Sequence, residues 1–269
     1  MNEYFNGQKL YGNDFSLEEI KHWYETEVEG YANLGSKNMK TYYYGYHAMN
    51  RIHGFDKIKG LTFNNVLGIG SAWGHEFQPI TDRITKLTIL EPSDNLISTE
   101  IGSIRPTYVK PNVNGQLDFA DNSFDLITCF MTLHHIPNVS FVLKEIVRVL
   151  KPGGYLLLSE PIVTMGDWRK ARKGLTKNER GIPVVFFDSE FKSFPLQVVS
   201  KEYCYTATAF MQKILGRILK RPIYSYKLYV MADKFISRLL SNRVRYHSKN
   251  KIDKIAPSSI FYVIKKLTQ

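Results

Sequence analysis

Between residues 61 and 160, short apolar runs alternate with stretches of helical spacing, and this alternation limits the fold more than any other feature of the chain. Phe63 to Ile69 (FNNVLGI) reads as a strand entering a glycine-bearing turn, and Leu87 to Leu90 (LTIL) as a second strand that stops at Glu91-Pro92. Phe124 to Phe130 (FDLITCF) and Tyr155 to Leu158 (YLLL) complete the series. Ahead of the last strand, Val142, Leu143, Ile146, Val149 and Leu150 share one helical face, and Lys151-Pro152-Gly153-Gly154 ends that helix through a missing donor and two permissive glycines. Strands that are apolar on both faces must be covered on both faces. The pattern therefore implies an α/β fold with a mostly parallel, doubly wound sheet.

The flanks read differently. Ser16-Leu17-Glu18-Glu19 is a capping box that starts a helix bearing Ile20, Trp23, Tyr24 and Val28, and a second helix is expected from about Met39 to Ile52. Residues 1–60 are thus expected to form a helical lid ahead of a domain spanning 61–269. Within that domain, helices over Ala207–Leu219 and Tyr226–Leu240 make an insertion at about 205–250, before a closing strand over Ser259–Ile264. A chain of 269 residues builds such a core without disulfides. Cys129 and Cys204, with no CxxC or His-rich motif near them, read as reduced and structural, and no metal is called for. No stretch approaches the ~20 apolar residues of a membrane span. The start, with Glu3, Asn6 and Gln8, lacks the pattern of a secretory signal, so a cytoplasmic location is expected.

Charge is unevenly divided. Residues 1–161 hold 14 basic and 18 acidic side chains, whereas residues 162–269 hold 22 and 7. The basic part is expected to meet an anionic partner, and Arg217, Lys220, Arg221, Arg238, Arg243 and Arg245 near its helix ends are the candidate contacts.

The turn Gly68-Ile69-Gly70-Ser71-Ala72-Trp73-Gly74 follows the first strand, where glycines allow close approach of a nucleotide-like ligand and aim amides at it. About 20 residues on, Glu91 ends the second strand, where an acid can accept both hydroxyls of a ribose. A dehydrogenase is disfavoured: the spacing is GxGxxxG, and the Tyr262/Lys266 pair comes at the far C-terminus.

Three further segments, LDFADNSFDLI (117–127), LHHIP (133–137) and VLKEIVRVLKPGGYLLLSE (142–160), resemble in order the class I S-adenosylmethionine-dependent methyltransferases. The resemblance covers roughly residues 61–161 and implies a Rossmann-like sheet of seven strands with S-adenosylmethionine across the carboxyl ends of the first ones. Carried over by position, Gly68, Gly70, Ser71 and Gly74 line the methionine and ribose side, Glu91 with Pro92 takes the ribose, and Asn114, Gly115 and Phe130 flank adenine. Two positions depart from the pattern: Gly68 stands where the family usually has an acid, and Ala72 where it has glycine. Glu76, one helical turn on, is the nearest replacement for the missing carboxylate.

His134 and His135 are the candidate general bases for a hydroxyl acceptor. In the lid, Thr41 to His47 (TYYYGYH) places Tyr42 and Tyr46 on one face, read as core, and leaves Tyr43, Tyr44 and His47 for the acceptor. The expected reaction is methyl transfer to O or N of a small molecule or a sugar or glycan unit, phosphate-bearing or lipid-linked, with the basic lobe against the inner face of an anionic membrane. Nucleic acid is disfavoured as acceptor because no Asn-Pro-Pro-Tyr or Pro-Cys signature follows the strand at 124–130. A non-catalytic relative that binds RNA or anionic membrane through the basic lobe is the alternative.

Overall fold

The apolar runs do become neighbouring strands of one sheet. In the computed structural model, which describes residues 2–27, 38–172, 174–250 and 253–268, these are β1 (Phe63–Ile69), β2 (Ile84–Leu90), β3 (Thr107–Val109), β4 (Phe124–Phe130), β5 (Leu150–Pro161), β6 (Leu196–Cys204) and β7 (Ser259–Lys266). Their order is β3-β2-β1-β4-β5-β7-β6, parallel throughout except for β7, which runs antiparallel to β5 and β6. The chain reverses its direction of winding at β1, which pairs with both β2 and β4, and a sheet of this kind opens a crevice beyond its carboxyl ends at that point.

Helices α1 (Asn2–Phe5), α2 (Leu17–Glu27), α3 (His47–His53), α4 (Val139–Val149), α5 (Val184–Lys192), α6 (Thr208–Leu215) and α7 (Lys227–Leu239) surround the sheet. One face of the core joins Leu67, Ile127 and Leu156 to Val142, Leu143 and Ile146 of α4. The other joins Val66, Leu126 and Leu157 to Phe55, Phe77 and Ile80. Alternate residues of each strand thus serve opposite layers, the two-sided burial that the apolar runs imply.

Three local expectations change. The Lys151-Pro152-Gly153-Gly154 segment does not separate helix from strand as a loop: β5 begins at Leu150, and the register jumps from Phe124↔Leu150 to Leu126↔Tyr155, so the segment is a bulge. Gly153 takes φ 79°, which few other residues accept. The helix expected from Met39 is only α3, because residues 38–46 form turns; a Cβ on Gly45 would press on the Tyr224 ring at 2.9 Å. Helix α6 stops at Leu215, ahead of Gly216, rather than at Leu219. The capping box at Ser16 forms, with Ser16 N donating to Glu19 Oε2 at 2.8 Å, and α2 buries Ile20 and Trp23. Val28, assigned to the same face, lies outside the described residues. Both cysteines are free and buried.

Candidate active site

The glycine turn after β1 is built for tight approach. Gly70 (φ 64°) and Gly74 (φ 71°) both take left-handed backbone, and a Cβ on Gly74 would overlap Ile101. Ala72 holds the same conformation at φ 47°, despite the strain of ~1–2 kcal/mol that a Cβ brings there. Its amide donates to Glu91 Oε2 at 3.0 Å, and its carbonyl accepts from the Tyr108 hydroxyl at 2.9 Å. Glu91 is buried and also accepts from Ser93 N through Oε1 at 3.0 Å, so its carboxylate ties the ends of β1 and β2 together.

Two cavities open at this edge. The first, of about 90 Å³, lies between Ile69, Leu90, Gly115 and Val142 and is roofed by Trp23 and Tyr24 of α2. The second, of about 250 Å³, is lined by Tyr42, Tyr44, Tyr46 and Tyr205 together with Glu76 and Glu179. Gly70 and His135 belong to the walls of both.

Some of the expected site residues line these spaces, whereas Gly68, Gly74 and Glu91 line neither. Gly70, Pro92 and Gly115 line the first cavity; Ser71, Tyr44 and both histidines line the second. Asn114 is turned away, its carbonyl accepting from Asn138 and its side chain from Gln116 N. Phe130, expected beside adenine, lines the second cavity instead, because the chain turns at Met131 (φ 56°) as β4 ends. Tyr43 is exposed under the Arg221 guanidinium, 5.0 Å from its ring centre. His47 lies against Tyr44 and faces a separate surface groove with Arg51 and Gln78. Tyr42 and Tyr46, read as core, are the tyrosines that join Tyr44 in the cavity.

Gly68 has no space for the acid that the family pattern puts there: a Cβ would overlap Ser71 Oγ and meet the Phe77 ring at 2.8 Å. A carboxylate does stand beside it: Glu76 Oε1 accepts from Ser71 Oγ at 3.0 Å and Thr128 Oγ1 at 2.5 Å, and Thr128 is the β4 partner of Gly68. Burial pushes the Glu76 carboxyl up to about 7, against the pull of those two hydroxyls.

The two histidines differ. Glu160, fully buried at the end of β5, accepts from the amides of Thr132, Leu133 and His134, and from His134 Nδ1 at 2.7 Å. Glu179 sits 3.6 Å from His134 Nε2. Burial works against charge on His134, but the two carboxylates outweigh it and hold the imidazole at about 9. It is an imidazolium clamped between two acids, a poor proton acceptor at neutral pH. His135 moves the other way, lowered by burial and by the neighbouring His134 charge, and its Nδ1 meets Glu27 Oε2 of α2 at 2.9 Å. Arg180, also fully buried, donates to the carbonyls of Leu133, His134, Ile136 and Pro137, so the turn over Leu133–His135 is gripped by Glu160 on its amides and Arg180 on its carbonyls. One ligand atom from each of His134, His135 and Glu179 lies within 4.8 Å of the others, close enough for a cation, but a metal there would have to displace the His134 proton.

Glu27, Glu179 and Arg180 carry no sequence signal because each lies far along the chain from the histidine turn it contacts and follows no spacing rule. Glu160 lay inside a recognised motif, although nothing local marked its partner.

Residues 67–158 match a family described as a methyltransferase domain. The chain is 31% identical over 130 residues to phthiotriol/phenolphthiotriol dimycocerosates methyltransferase 1 of Mycobacterium ulcerans, and 33% identical over 119 residues to demethylmenaquinone methyltransferase of Listeria monocytogenes. These matches cover 44% and 43% of this chain and 48% and 47% of those proteins, so the chain spans about half the length of the curated relatives it matches. Phosphoethanolamine N-methyltransferase 1 of Haemonchus contortus, solved with phosphoethanolamine and S-adenosylhomocysteine, shares the fold with TM-score 0.59 at 11% identity, over 97% of this chain and 52% of that one. With the strand order, the glycine turn and the ordered motifs, these matches show a methyltransferase domain over residues 67–158, of the kind that uses S-adenosylmethionine as cofactor, on a fold shared with solved methyltransferases. The residues present suit that cofactor: an apolar slot between Leu90 and Val142 for a flat ring, and a buried carboxylate at the glycine turn.

Proposed function

We propose that the chain methylates an oxygen or nitrogen of a small acceptor seated among Tyr42, Tyr44, Tyr46 and Tyr205, with His135 as the proton acceptor. The observation that carries this reading is the shared wall: the apolar cleft suited to the cofactor and the tyrosine cavity meet at Gly70 and His135. When bound, S-adenosylmethionine supplies an electrophilic methyl on a good leaving group, so most of the catalysis is alignment of the acceptor, an effect of about 7 to 11 kcal/mol. Tyrosine faces hold a flat or sugar ring while α2 closes the cleft from above. Neutral His135, oriented by Glu27, takes the proton of a hydroxyl acceptor, and charged His134 keeps the turn in place. In this reading Glu91 reaches the ribose hydroxyls, with Ser71 and Gly74 shaping the turn at the methionine side.

Relatives named for demethylmenaquinone and for a sterol put ring-bearing, lipid-like acceptors first among the candidates, followed by lipid-linked or phosphate-bearing sugars. Labelled cofactor offered with hydroquinones, sterols, amines and nucleotide sugars tests the reading, and mass spectrometry of the product locates the methyl. Turnover of a ring-bearing acceptor that falls ~10²-fold in His135→Ala is the expected result. No heat on titration with millimolar S-adenosylhomocysteine would refute the placement of the cofactor.

A further inference from the structure

Helix α7 is amphipathic with its faces exchanged. Val230, Asp233 and Ser237 face inward: Val230 packs against Met49 of α3 and Cys204 of β6, Asp233 accepts from the amides of Tyr205 and Thr206, and Ser237 meets the Thr206 hydroxyl. Leu228, Met231, Phe235 and Leu239, spaced i, i+3, i+7 and i+11, share the opposite face and are exposed, Leu228 at 82% and Phe235 at 65%. The neighbouring α6 exposes Phe210 and Ile214, the turn after it exposes Ile218 at 80%, and α6 joins α7 through the Thr208–Tyr229 hydroxyl contact at 2.8 Å. Soluble proteins rarely leave so many large apolar side chains together in water.

Cations border this face. Residues 205–250 hold ten lysines and arginines against one acid, Asp233, and that acid is buried on the amides of Tyr205 and Thr206. Lys234 pairs with Glu202, whereas Lys213, Arg217, Lys220, Lys227, Arg238 and Arg243 form no ion pair among the described residues. On the helical wheel of α7, Lys227, Lys234 and Arg238 make a stripe along one side of the apolar face.

We propose that the α6–α7 lobe docks on an anionic phospholipid surface, with the apolar side chains entering the acyl boundary and the cations meeting headgroup phosphates. Such an interface uses both halves of the face. A second copy of the chain would bring like charge against like charge across a two-fold axis. RNA would reward the cations but gain nothing from Leu228, Ile218 or Met231. Among the described residues no helix is long and apolar enough to cross a membrane, so this contact lies along the surface. The lobe also leads to the cavity: Tyr224, between α6 and α7, stacks on Tyr46 at 4.9 Å, and Tyr46 lines the acceptor space. Docking there would place the cavity beside the bilayer from which a lipid-like acceptor comes, although the docking itself holds whatever the acceptor is.

Flotation with phosphatidylcholine vesicles, with and without phosphatidylglycerol, tests the proposal directly. The protein is expected to float with the anionic vesicles and to lose about tenfold or more in affinity when Ile218, Leu228 and Phe235 are changed together to Ser. Three of the unpaired basic positions changed together (Arg217→Gln, Lys220→Gln, Arg238→Gln) should remove the preference for anionic lipid. The indole introduced by Phe235→Trp should be quenched by brominated lipid. All these side chains are exposed, so thermal melts should match wild type and separate loss of docking from loss of fold. Failure to float at low salt, a triple-Ser variant that floats like wild type, or indole fluorescence of the Phe235→Trp variant untouched by brominated lipid each overturns the proposal. So does a wild-type dimer that the triple-Ser change dissociates, or RNA binding without vesicle binding. Cofactor titration on the same samples reads the methyltransferase site independently.

Discussion

Glu76→Gln should make the protein more stable at alkaline pH and leave it unchanged at acid pH. The carboxyl is fully buried beneath Ser71 and Thr128, and burial moves its pKa from 4.5 to about 7. A carboxyl whose pKa rises on folding contributes full stability below its unfolded value and loses that contribution as the pH climbs through the folded one. The window is therefore about pH 4.5 to 7, and the cost of holding the ionised group is about 3 kcal/mol. Glutamine keeps an oxygen to accept from both hydroxyls and cannot ionise. Urea denaturation should give equal stability for the two proteins near pH 5. Near pH 8 the variant should lead by about 3 kcal/mol, or roughly 6 to 12 °C in melting temperature. The gain should come with weaker binding of S-adenosylhomocysteine, because the negative charge that replaces the missing acid at Gly68 is gone. A variant no more stable than wild type at pH 8 would show that the carboxylate is not desolvated as its burial requires. One that binds the ligand as tightly as wild type would show that Glu76 does not serve the cofactor.

His134→Gln should cost about 3 to 5 kcal/mol, since it leaves Glu160 and Glu179 buried without their shared cation, whereas His135→Ala should mainly lower turnover; chemical denaturation and acceptor assays separate the two. Wild-type stability should also decline as the pH rises from about 6.5 to 9, because the His134 pKa is raised on folding, and this slope should vanish in His134→Gln. Glu91→Ala should weaken cofactor binding by about 1.5 to 3 kcal/mol and also lower the melting temperature, because Ala72 and Ser93 lose the acceptor that holds their amides. Gly68→Asp, which restores the family's usual residue, should destabilise by about 3 kcal/mol or more and bring no gain in affinity, since its Cβ overlaps Ser71 and Phe77.

How legible each part was depended on how local its cause is. The strands at 63–69, 87–90 and 124–130 could be read because an apolar run between turn residues needs no distant partner to be recognised. β3 and β6 could not: one has three residues, the other is an exposed edge with no apolar run. The segment at 41–47 misled for the same reason in reverse. Tyr42 and Tyr46 have helical spacing, but Gly45 and the packing of Tyr224 hold the segment in turns, and turn geometry sends a different set of rings inward. Equal-looking histidines separated only when the fold brought Glu160 and Glu179 to one and Glu27 to the other, from positions 26 to 108 residues away in the chain.

The amino-acid sequence by itself determined the layered sheet, the glycine turn, the order of the cofactor motifs and the concentration of positive charge after residue 162, because each is written in neighbouring residues or in composition. Only the tertiary structure decided that His134 lies between two carboxylates while His135 meets Glu27, that Glu76 reaches Ser71 and Thr128 beside Gly68, that the apolar cleft and the tyrosine cavity share one wall, and that α7 turns its apolar face to solvent. Those outcomes depend on distances across the fold, where desolvation and Coulomb interaction between residues remote in the chain set the chemistry.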